Sequence, residues 1–329
     1  MQIATAVTCA VLLLAAMLPA DAARAVQGNA ASADPSIDAH KQAYGHFTKG
    51  RYAEAVIIWQ ELAAKGDAVA QNNLGLAYQN GKGVERDHEL ALKLFGLAAA
   101  GGRAAAKNNL ARMYYRGQGT PRDLPIARQW YLEAAEQGHA NAAKNVGVMM
   151  LNGEGGPGDP EAALNWFRIA AENNERRAFY YIGLMHTRGI VVERDWEKAV
   201  TWYRKGARKG EVSSLYMLAS AYRAGRGVET DKPQAVRLLR QAAARGNYRA
   251  VTDLGDMFAS GQGVRRNPAQ AIFWYGLGAS AGRDEDRQAM MRLLDSADPG
   301  AVKRAQRLRE TFLTAISPRA RARFLRVTS

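Results

Sequence analysis

Five histidines are the side chains of this sequence best suited to hold a metal ion or to transfer protons. They are His40, His46, His88, His139 and His186. Histidines that bind a metal from one helix lie four residues apart, and no two of these five have that spacing. Because Cys9 is the only cysteine, no intrachain disulfide and no multi-cysteine zinc site can form. We therefore expect surface or packing histidines, and predict no metal, no cofactor and no small-molecule substrate.

Three recurring patterns resemble functional motifs but are better explained by structure. A repeated aspartate suits the N-cap of a helix, where its carboxylate accepts hydrogen bonds from free backbone amides. A repeated Gly-x-Gly lacks the preceding strand and the following Lys-Ser or Lys-Thr of a phosphate-binding loop. Trp-Tyr and Trp-Phe doublets could stack on a sugar, but the alanines beside them on the same helix favour packing. No Ser, His and Asp set is indicated, so the chain is predicted not to be an enzyme.

All three patterns belong to one internal repeat of 36 residues. Residues spaced 36 apart from Leu74 onward are all apolar: Leu74, Leu110, Val146, Ile182, Leu218, Leu254 and Met290. Residues spaced 36 apart from Ala91 onward are all alanine: Ala91, Ala127, Ala163, Ala199, Ala235 and Ala271. A fixed period over six units indicates a repeat architecture built from one supersecondary unit.

Each repeat predicts a helical hairpin. In the first unit, Ala70, Leu74 and Tyr78 are four residues apart and therefore share one face of a first helix, helix A. Gly81 follows, where a residue that tolerates the left-handed conformation ends a helix. Asp87 is the predicted N-cap of the second helix, helix B.

The repeat resembles the Sel1-like repeat, a relative of the tetratricopeptide repeat. The residues that carry the resemblance are Ala70, Leu74, Gly75, Tyr78, Gly81, Gly83, Val84, Asp87, Ala91, Phe95, Ala98, Ala99 and Gly102. The resemblance implies an all-α fold, a right-handed α-solenoid of helix-turn-helix repeats whose concave face is lined by A helices. It also implies a non-enzymatic adaptor or scaffold that binds a protein partner. Val191 replaces the second loop glycine of the fourth unit, which is expected to keep its hairpin with an altered loop.

The chain divides into five predicted segments. Residues 1–22 are a signal peptide and residues 23–38 a flexible lead-in. Residues 39–66 form a tetratricopeptide-like N-terminal hairpin, and residues 67–282 hold six Sel1-like repeats. Residues 283–329 form C-terminal capping helices and a basic tail, because the terminal units of a solenoid must cover its core.

The first 22 residues have the pattern of an export signal. A run of mostly apolar and small residues from Ile3 to Leu18 precedes Ala20 and Ala22, the small-residue pair that a signal peptidase needs. The run is short for a membrane span, which takes about 20 residues. We expect cleavage after Ala22 and a periplasmic or secreted protein with a role in envelope assembly or regulation. An uncleaved anchor or a misplaced start is the alternative.

Positions that vary between repeats are the candidates for partner binding. On helix A, the positions two residues before, two residues after and five residues after the repeated apolar residue are expected to face the concave side. The predicted partner-binding residues are Asn72, Asn108, Arg112, Lys144, Tyr180, Tyr216 and Arg223. Tyrosine and arginine are typical anchors of protein interfaces. The alternative is an ordinary solvated face.

Positive charge is concentrated in the C-terminal part of the chain. Residues 201–329 carry 24 basic and 11 acidic side chains, whereas residues 1–200 carry 21 and 20. We predict that Arg319, Arg321, Arg323 and Arg326 contact an anionic surface, so that removing residues 317–329 leaves the melting temperature nearly unchanged. The alternative function is thus an envelope binder of anionic polysaccharide or of a membrane surface. A solvated tail is the plainer interpretation. No nucleic-acid partner is expected because of the export signal, and a monomer is predicted.

Overall fold

The computed structural model describes residues 35–325, which fall into two compact units, unit 1 with residues 35–173 and unit 2 with residues 174–325. The predicted signal peptide and Arg326 lie outside the described residues. Unit 1 contains helices α1 (Pro35–Thr48), α2 (Tyr52–Ala64), α3 (Ala68–Asn80), α4 (His88–Ala100), α5 (Ala104–Arg116), α6 (Leu124–Glu136), α7 (Ala140–Asn152) and α8 (Pro160–Glu172). Unit 2 contains α9 (Arg176–Arg188), α10 (Trp196–Arg208), α11 (Val212–Ala224), α12 (Lys232–Ala244), α13 (Tyr248–Ser260), α14 (Pro268–Ser280), α15 (Asp284–Leu294), α16 (Pro299–Ala315) and α17 (Pro318–Phe324). Between residues 35 and 325 there is no strand.

The predicted period is present in the helix boundaries. Helices of type A begin at Ala68, Ala104, Ala140, Arg176, Val212, Tyr248 and Asp284, and each start is 36 residues after the last. Helices of type B begin at Tyr52, His88, Leu124, Pro160, Trp196, Lys232 and Pro268, again 36 residues apart. Successive helices pack against each other from α1 to α8 in unit 1 and from α9 to α15 in unit 2. The predicted fold class, an all-α solenoid of helical hairpins, is confirmed.

The lead-in prediction is wrong for residues 35–38, because α1 already begins at Pro35. Proline at the start of a helix and an acidic residue in its first turn, here Asp38, both favour that conformation. Further along α1, Ala43 is buried against Trp59 and its neighbours. Composition alone indicated a loop, and the packing of the hairpin outweighs it.

Helix B is capped as predicted. The Asp87 carboxylate accepts a hydrogen bond from the Leu90 amide at 2.9 Å. Equivalent capping bonds are made by Asp123, Asp159, Asp195, Asp231 and Asn267. Helix A ends at a glycine in the left-handed region, with φ of 65° at Gly81. These two signals fix where each helix starts and stops, so the loop between them has the same length in every repeat.

Aromatic rings of helix B pack against glycines of helix A. A Cβ atom at Gly75 would lie 2.8 Å from the Phe95 ring, and one at Gly255 would lie 2.5 Å from the Tyr275 ring. Both rings are buried. The Leu-Gly pair of the repeat is thus a packing feature, and the second aromatic of each doublet belongs to the core.

Val191 adopts a backbone conformation that suits glycine. Its φ is 67°, close to the 64° of Gly227 at the equivalent loop position of the next repeat. The left-handed region costs an L-residue with a side chain about 1–2 kcal/mol. The hairpin persists, because α9 and α10 keep the boundaries of the other repeats.

Val191→Gly is expected to raise the free energy of unfolding by about 0.5–1 kcal/mol, since relief of strain exceeds the added entropy of the unfolded chain. Urea unfolding measures the change. Val192→Gly is the matched control, because Val192 has no positive φ, and its substitution should lower stability. Equal losses in the two variants would show that Val191 is not strained.

The C-terminal helices cover the last repeat. Helix α16 (Pro299–Ala315), one of the predicted capping helices, packs on α14. The Phe312 ring lies 5.6 Å from Phe273 and 5.3 Å from Trp274, both of which are buried. Helix α16 therefore shields Phe273 and Trp274 of α14 from solvent.

Candidate functional site

Three of the predicted partner-binding residues in unit 1 are buried. Asn72, Asn108 and Lys144 are only 4%, 6% and 8% exposed, so they offer almost no surface to a partner. The Asn109 side-chain amide donates to the Asn72 side-chain oxygen at 2.9 Å, which joins α3 to α5. The prediction of an exposed binding residue is wrong for these three, and for Asn72 the cause is its contact with the neighbouring A helix, α5. Helical periodicity places a residue on a face but does not say how closely the next helix covers that face.

Arg112 also takes part in a link between repeats. Its guanidinium donates to the Gln79 side-chain oxygen at 2.9 Å, so that α5 is joined to α3 a second time. Burial lowers the pKa of Arg112. The hydroxyl of Tyr115 donates to the Glu154 carboxylate at 2.9 Å in the following repeat. In unit 1, polar side chains of the A helices therefore tie successive hairpins together.

Unit 2 presents tyrosines at the same positions. Tyr180 on α9 and Tyr216 on α11 are partly exposed and occupy equivalent positions on helices that touch each other. The Tyr180 ring lies 5.3 Å from that of Tyr181. Burial, followed by the nearby Asp253 carboxylate, raises the pKa of Tyr216. Its hydroxyl, like that of any tyrosine at neutral pH, can donate a hydrogen bond.

Arg223 completes this surface. Its guanidinium donates to the Asp253 carboxylate at 2.9 Å, and Asp253 is the more buried of the two. A guanidinium held in this way loses less side-chain entropy when a ligand binds than a free one does. We call Tyr180, Tyr216 and Arg223 the tyrosine surface. The structure brings these three predicted residues together on the A helices of unit 2.

The basic C-terminal segment is not a free tail over its described part. Phe324 is 0% exposed, and its ring meets that of Tyr248 edge-on at 5.7 Å. The Tyr248 hydroxyl donates to the Arg323 carbonyl at 2.8 Å, and the Arg323 guanidinium donates to the Gly246 carbonyl at 3.3 Å. Arg321 donates to the Thr314 carbonyl at 3.2 Å. The plainer interpretation, a solvated tail, is therefore wrong for residues 317–325.

The physical reason is an apolar spacing that the charge count obscured. Ile316, Ala320 and Phe324 are four residues apart and all are buried, so the segment is amphipathic. Arg319 alone of the described tail arginines is largely exposed. Fewer arginine side chains of this segment are therefore available to bind an anion than the sequence predicted.

A buried carboxylate escaped the sequence analysis. Asp286 on α15 is 0% exposed, accepts from the Arg283 guanidinium at 2.9 Å and accepts from the Thr252 hydroxyl at 3.0 Å. Burial raises the pKa of Asp286. Space for the carboxylate exists because position 278, on the facing helix α14, is glycine. This cluster joins α13, α14 and α15 and has a structural role.

Metal-ligating clusters and membrane-spanning helices are both absent from the described residues. Across residues 35–325, no group of three or more His, Cys, Asp or Glu side chains could hold a metal ion. His139 caps helix α7, its Nδ1 accepting from the Ala142 amide at 3.2 Å, and His186 is buried. Within the same range, no helix combines the length and apolar character needed to cross a bilayer.

Comparison with known proteins agrees with this geometry. The profile of the Sel1 repeat family matches residues 68–102, 104–139, 140–175, 177–211, 212–247 and 249–282. The chain therefore belongs to the Sel1 repeat family, which confirms the resemblance carried by the repeat. Proteins of this family are typically protein-interaction scaffolds, and the fold is generally non-enzymatic.

The chain is also similar to several solved structures. A Sel1 repeat protein from Oxalobacter formigenes is 31% identical, with a TM-score of 0.69 over 75% of this chain and 97% of that one. The protective antigen c5321 of uropathogenic Escherichia coli is 23% identical, covering 89% of this chain and 87% of its own, with a TM-score of 0.39. The immunity protein Pa5087 from Pseudomonas aeruginosa is 18% identical, covering 69% and 81%, with a TM-score of 0.43. Comparison with curated proteins returns no match.

Proposed function

We propose that this chain is an exported, non-enzymatic adaptor that binds a protein partner with the tyrosine surface of unit 2. The observation that carries the proposal is the contrast between the two units. Equivalent A-helix positions hold buried Asn72 and Asn108 in unit 1 but partly exposed Tyr180 and Tyr216 in unit 2. Tyrosine and arginine supply much of the binding energy of protein interfaces, and here Arg223 is already oriented by Asp253.

Export is the second part of the proposal, and the sequence pattern of residues 1–22 supports it. The adaptor would act in the periplasm or outside the cell, in envelope assembly or regulation. Fractionation of cells that express the full chain with a C-terminal tag tests this part. The processed protein, lacking residues 1–22, is expected in the periplasm or the medium. Unprocessed protein in the cytoplasm would contradict export.

Tyr216→Ser is expected to weaken partner binding by about 30-fold, the effect of losing an interface anchor worth about 2 kcal/mol. The measurement is quantitative capture of envelope proteins by the purified mature chain. Tyr44→Ser is the matched control, because Tyr44 is 66% exposed on α1, in the other unit. Its capture should equal that of the wild type. Undiminished capture by Tyr216→Ser, with both variants folded, would rule out the tyrosine surface.

Binding to an anionic polysaccharide or membrane surface is a second candidate function. Lys303, Arg307 and Arg319 favour it, because they are exposed and form no ion pair within the described residues. Such binding is electrostatic and should collapse when salt shortens the Debye length from about 10 Å at 0.1 M to about 3 Å at 1 M. Binding through the tyrosine surface should largely survive the same change.

A further inference from the structure

The basic excess of unit 2 extends beyond its C-terminal segment to its B helices. Helices α10, α12 and α14 together carry seven basic side chains and one acidic side chain, Glu197. Helices α4, α6 and α8 of unit 1 carry three basic and five acidic side chains at the corresponding repeats. The repeat itself does not require this charge, because the same fold is built in unit 1 without it.

Six basic side chains on α10 and α12 or at their C-caps are exposed. They are Lys205, Arg208, Lys209, Arg237, Arg240 and Arg245, and we call them the basic B face. None of the six forms an ion pair with another described residue. The Arg245 guanidinium lies beside Gly210, the residue after Lys209, so the two helix ends are close together. Helix α12 has no acidic side chain to offset its charge.

Aromatic rings hold several of these cations in place. The Lys205 ammonium lies 4.2 Å from the centroid of the Trp202 ring, and the Arg240 guanidinium lies 5.4 Å from that of Phe258. The Lys209 ammonium donates to the Asn174 side-chain oxygen at 2.8 Å. Like charges held close together repel and destabilise the folded state. A ligand that supplies negative charge would relieve that repulsion.

We propose that the basic B face binds an acidic, carboxylate-rich segment of a partner protein. The proposal rests on the adaptor function and adds a second contact surface with a stated chemistry. Planar guanidinium groups, such as those of Arg237 and Arg240, match carboxylates with two parallel hydrogen bonds. A carboxylate-rich segment therefore suits this surface in shape as well as in charge.

Other anionic ligands fit the surface less well. Membrane association needs apolar side chains that insert beside the charges, and the exposed large hydrophobic residues of unit 2 are Val191, Met291 and Leu325, none of them on α10 or α12. Single-stranded nucleic acid needs open aromatic faces on which bases stack. The Trp202 ring has the Lys205 ammonium over it and packs beside the Phe179 ring, with centroids 6.1 Å apart. The observations thus favour a peptide.

The test uses a fluorescein-labelled oligoglutamate peptide and the mature chain. The double variant Arg237→Glu and Arg240→Glu is expected to bind the peptide about 30-fold more weakly, from the loss of two charge-assisted contacts. The matched control is Arg265→Glu with Arg266→Glu, which makes the same change in net charge at two exposed residues of the loop between α13 and α14. The control should stay within about threefold of the wild type, since neither Arg265 nor Arg266 is one of the six residues of the basic B face. Circular dichroism checks that both fold, and Arg237→Gln with Arg240→Gln replaces the first variant if it does not.

Equal weakening in the two double variants, or none in the first, would overturn the proposal.

A separate competition experiment tests the choice of ligand, with heparin, single-stranded DNA and anionic vesicles as competitors of the labelled peptide. Displacement of the peptide by any of them at a tenfold lower charge concentration would overturn the choice of a peptide ligand. The variant Tyr216→Ser separates the two proposals. It should leave peptide binding unchanged, so a failure at the basic B face does not imply a failure at the tyrosine surface.

Discussion

Replacing Gly278 by alanine is expected to lower the free energy of unfolding by about 3 kcal/mol. A Cβ atom at this position would lie 2.5 Å from the Asp286 carboxyl carbon, so the carboxylate must leave its site. Asp286 would then lose its contacts with Arg283 and Thr252 inside the protein. Overpacking a core costs about 1–3 kcal/mol, and disturbing a buried ion pair costs at least as much. Urea unfolding measures the loss.

Two further variants isolate the cause. Gly276→Ala changes the same helix by the same atom, but its nearest neighbour would be the flexible Met290 sulfur at 3.4 Å. We expect it to be neutral or slightly stabilising, because alanine favours a helix over glycine by about 1 kcal/mol. Adding Asp286→Ala to Gly278→Ala should restore most of the lost stability. Equal stability of the two single alanine variants would contradict the assigned role of Gly278.

Phe324→Ala is expected to cost about 3–5 kcal/mol, the usual price of emptying a fully buried aromatic site. The ring contacts Tyr248 and lies 6.1 Å from the Phe312 ring, so it fixes α17 to two other helices. Removal of residues 317–329 should have a similar effect, contrary to the expectation from charge alone. Thermal or urea unfolding checks both.

The neighbouring residue provides the control for that experiment. Leu325 is 45% exposed, and Leu325→Ala should change stability by less than about 0.5 kcal/mol. An unchanged unfolding midpoint in Phe324→Ala would mean that α17 is not packed as described. The arginines of α17 would then be free to bind an anionic surface, as the sequence predicted.

The fold was predictable because each signal is repeated. Asp87 or Gly81 alone would be a weak indication of a helix boundary, but the same residue types recur at 36-residue intervals. The aromatic and glycine positions of the core were predictable for the same reason, because they too recur at 36-residue intervals. Single features lacked this support. The start of α1 at Pro35 and the burial of Phe324 each depend on packing at one end of the chain.

The candidate site was less predictable because it depends on contacts between helices. Periodicity placed Asn72 and Tyr180 at the same position, yet one is buried and the other partly exposed. The Gly278 and Asp286 pair was visible in the sequence as two simultaneous departures from alanine, eight residues apart. The pairs Ala98 with Ala106, Ala134 with Ala142 and Ala242 with Ala250 keep the common form. That spacing acquires meaning only when the facing helices are known.

Site-specific photocrosslinking tests the central claim, that a protein partner binds the A-helix face of unit 2. A photoreactive phenylalanine analogue is placed in the full chain instead of Tyr216 or, as control, instead of Tyr44, and cells that make the protein are irradiated. The account predicts one discrete crosslinked protein from position 216 and none from position 44. No adduct at position 216, or the same adduct from both positions, would contradict it.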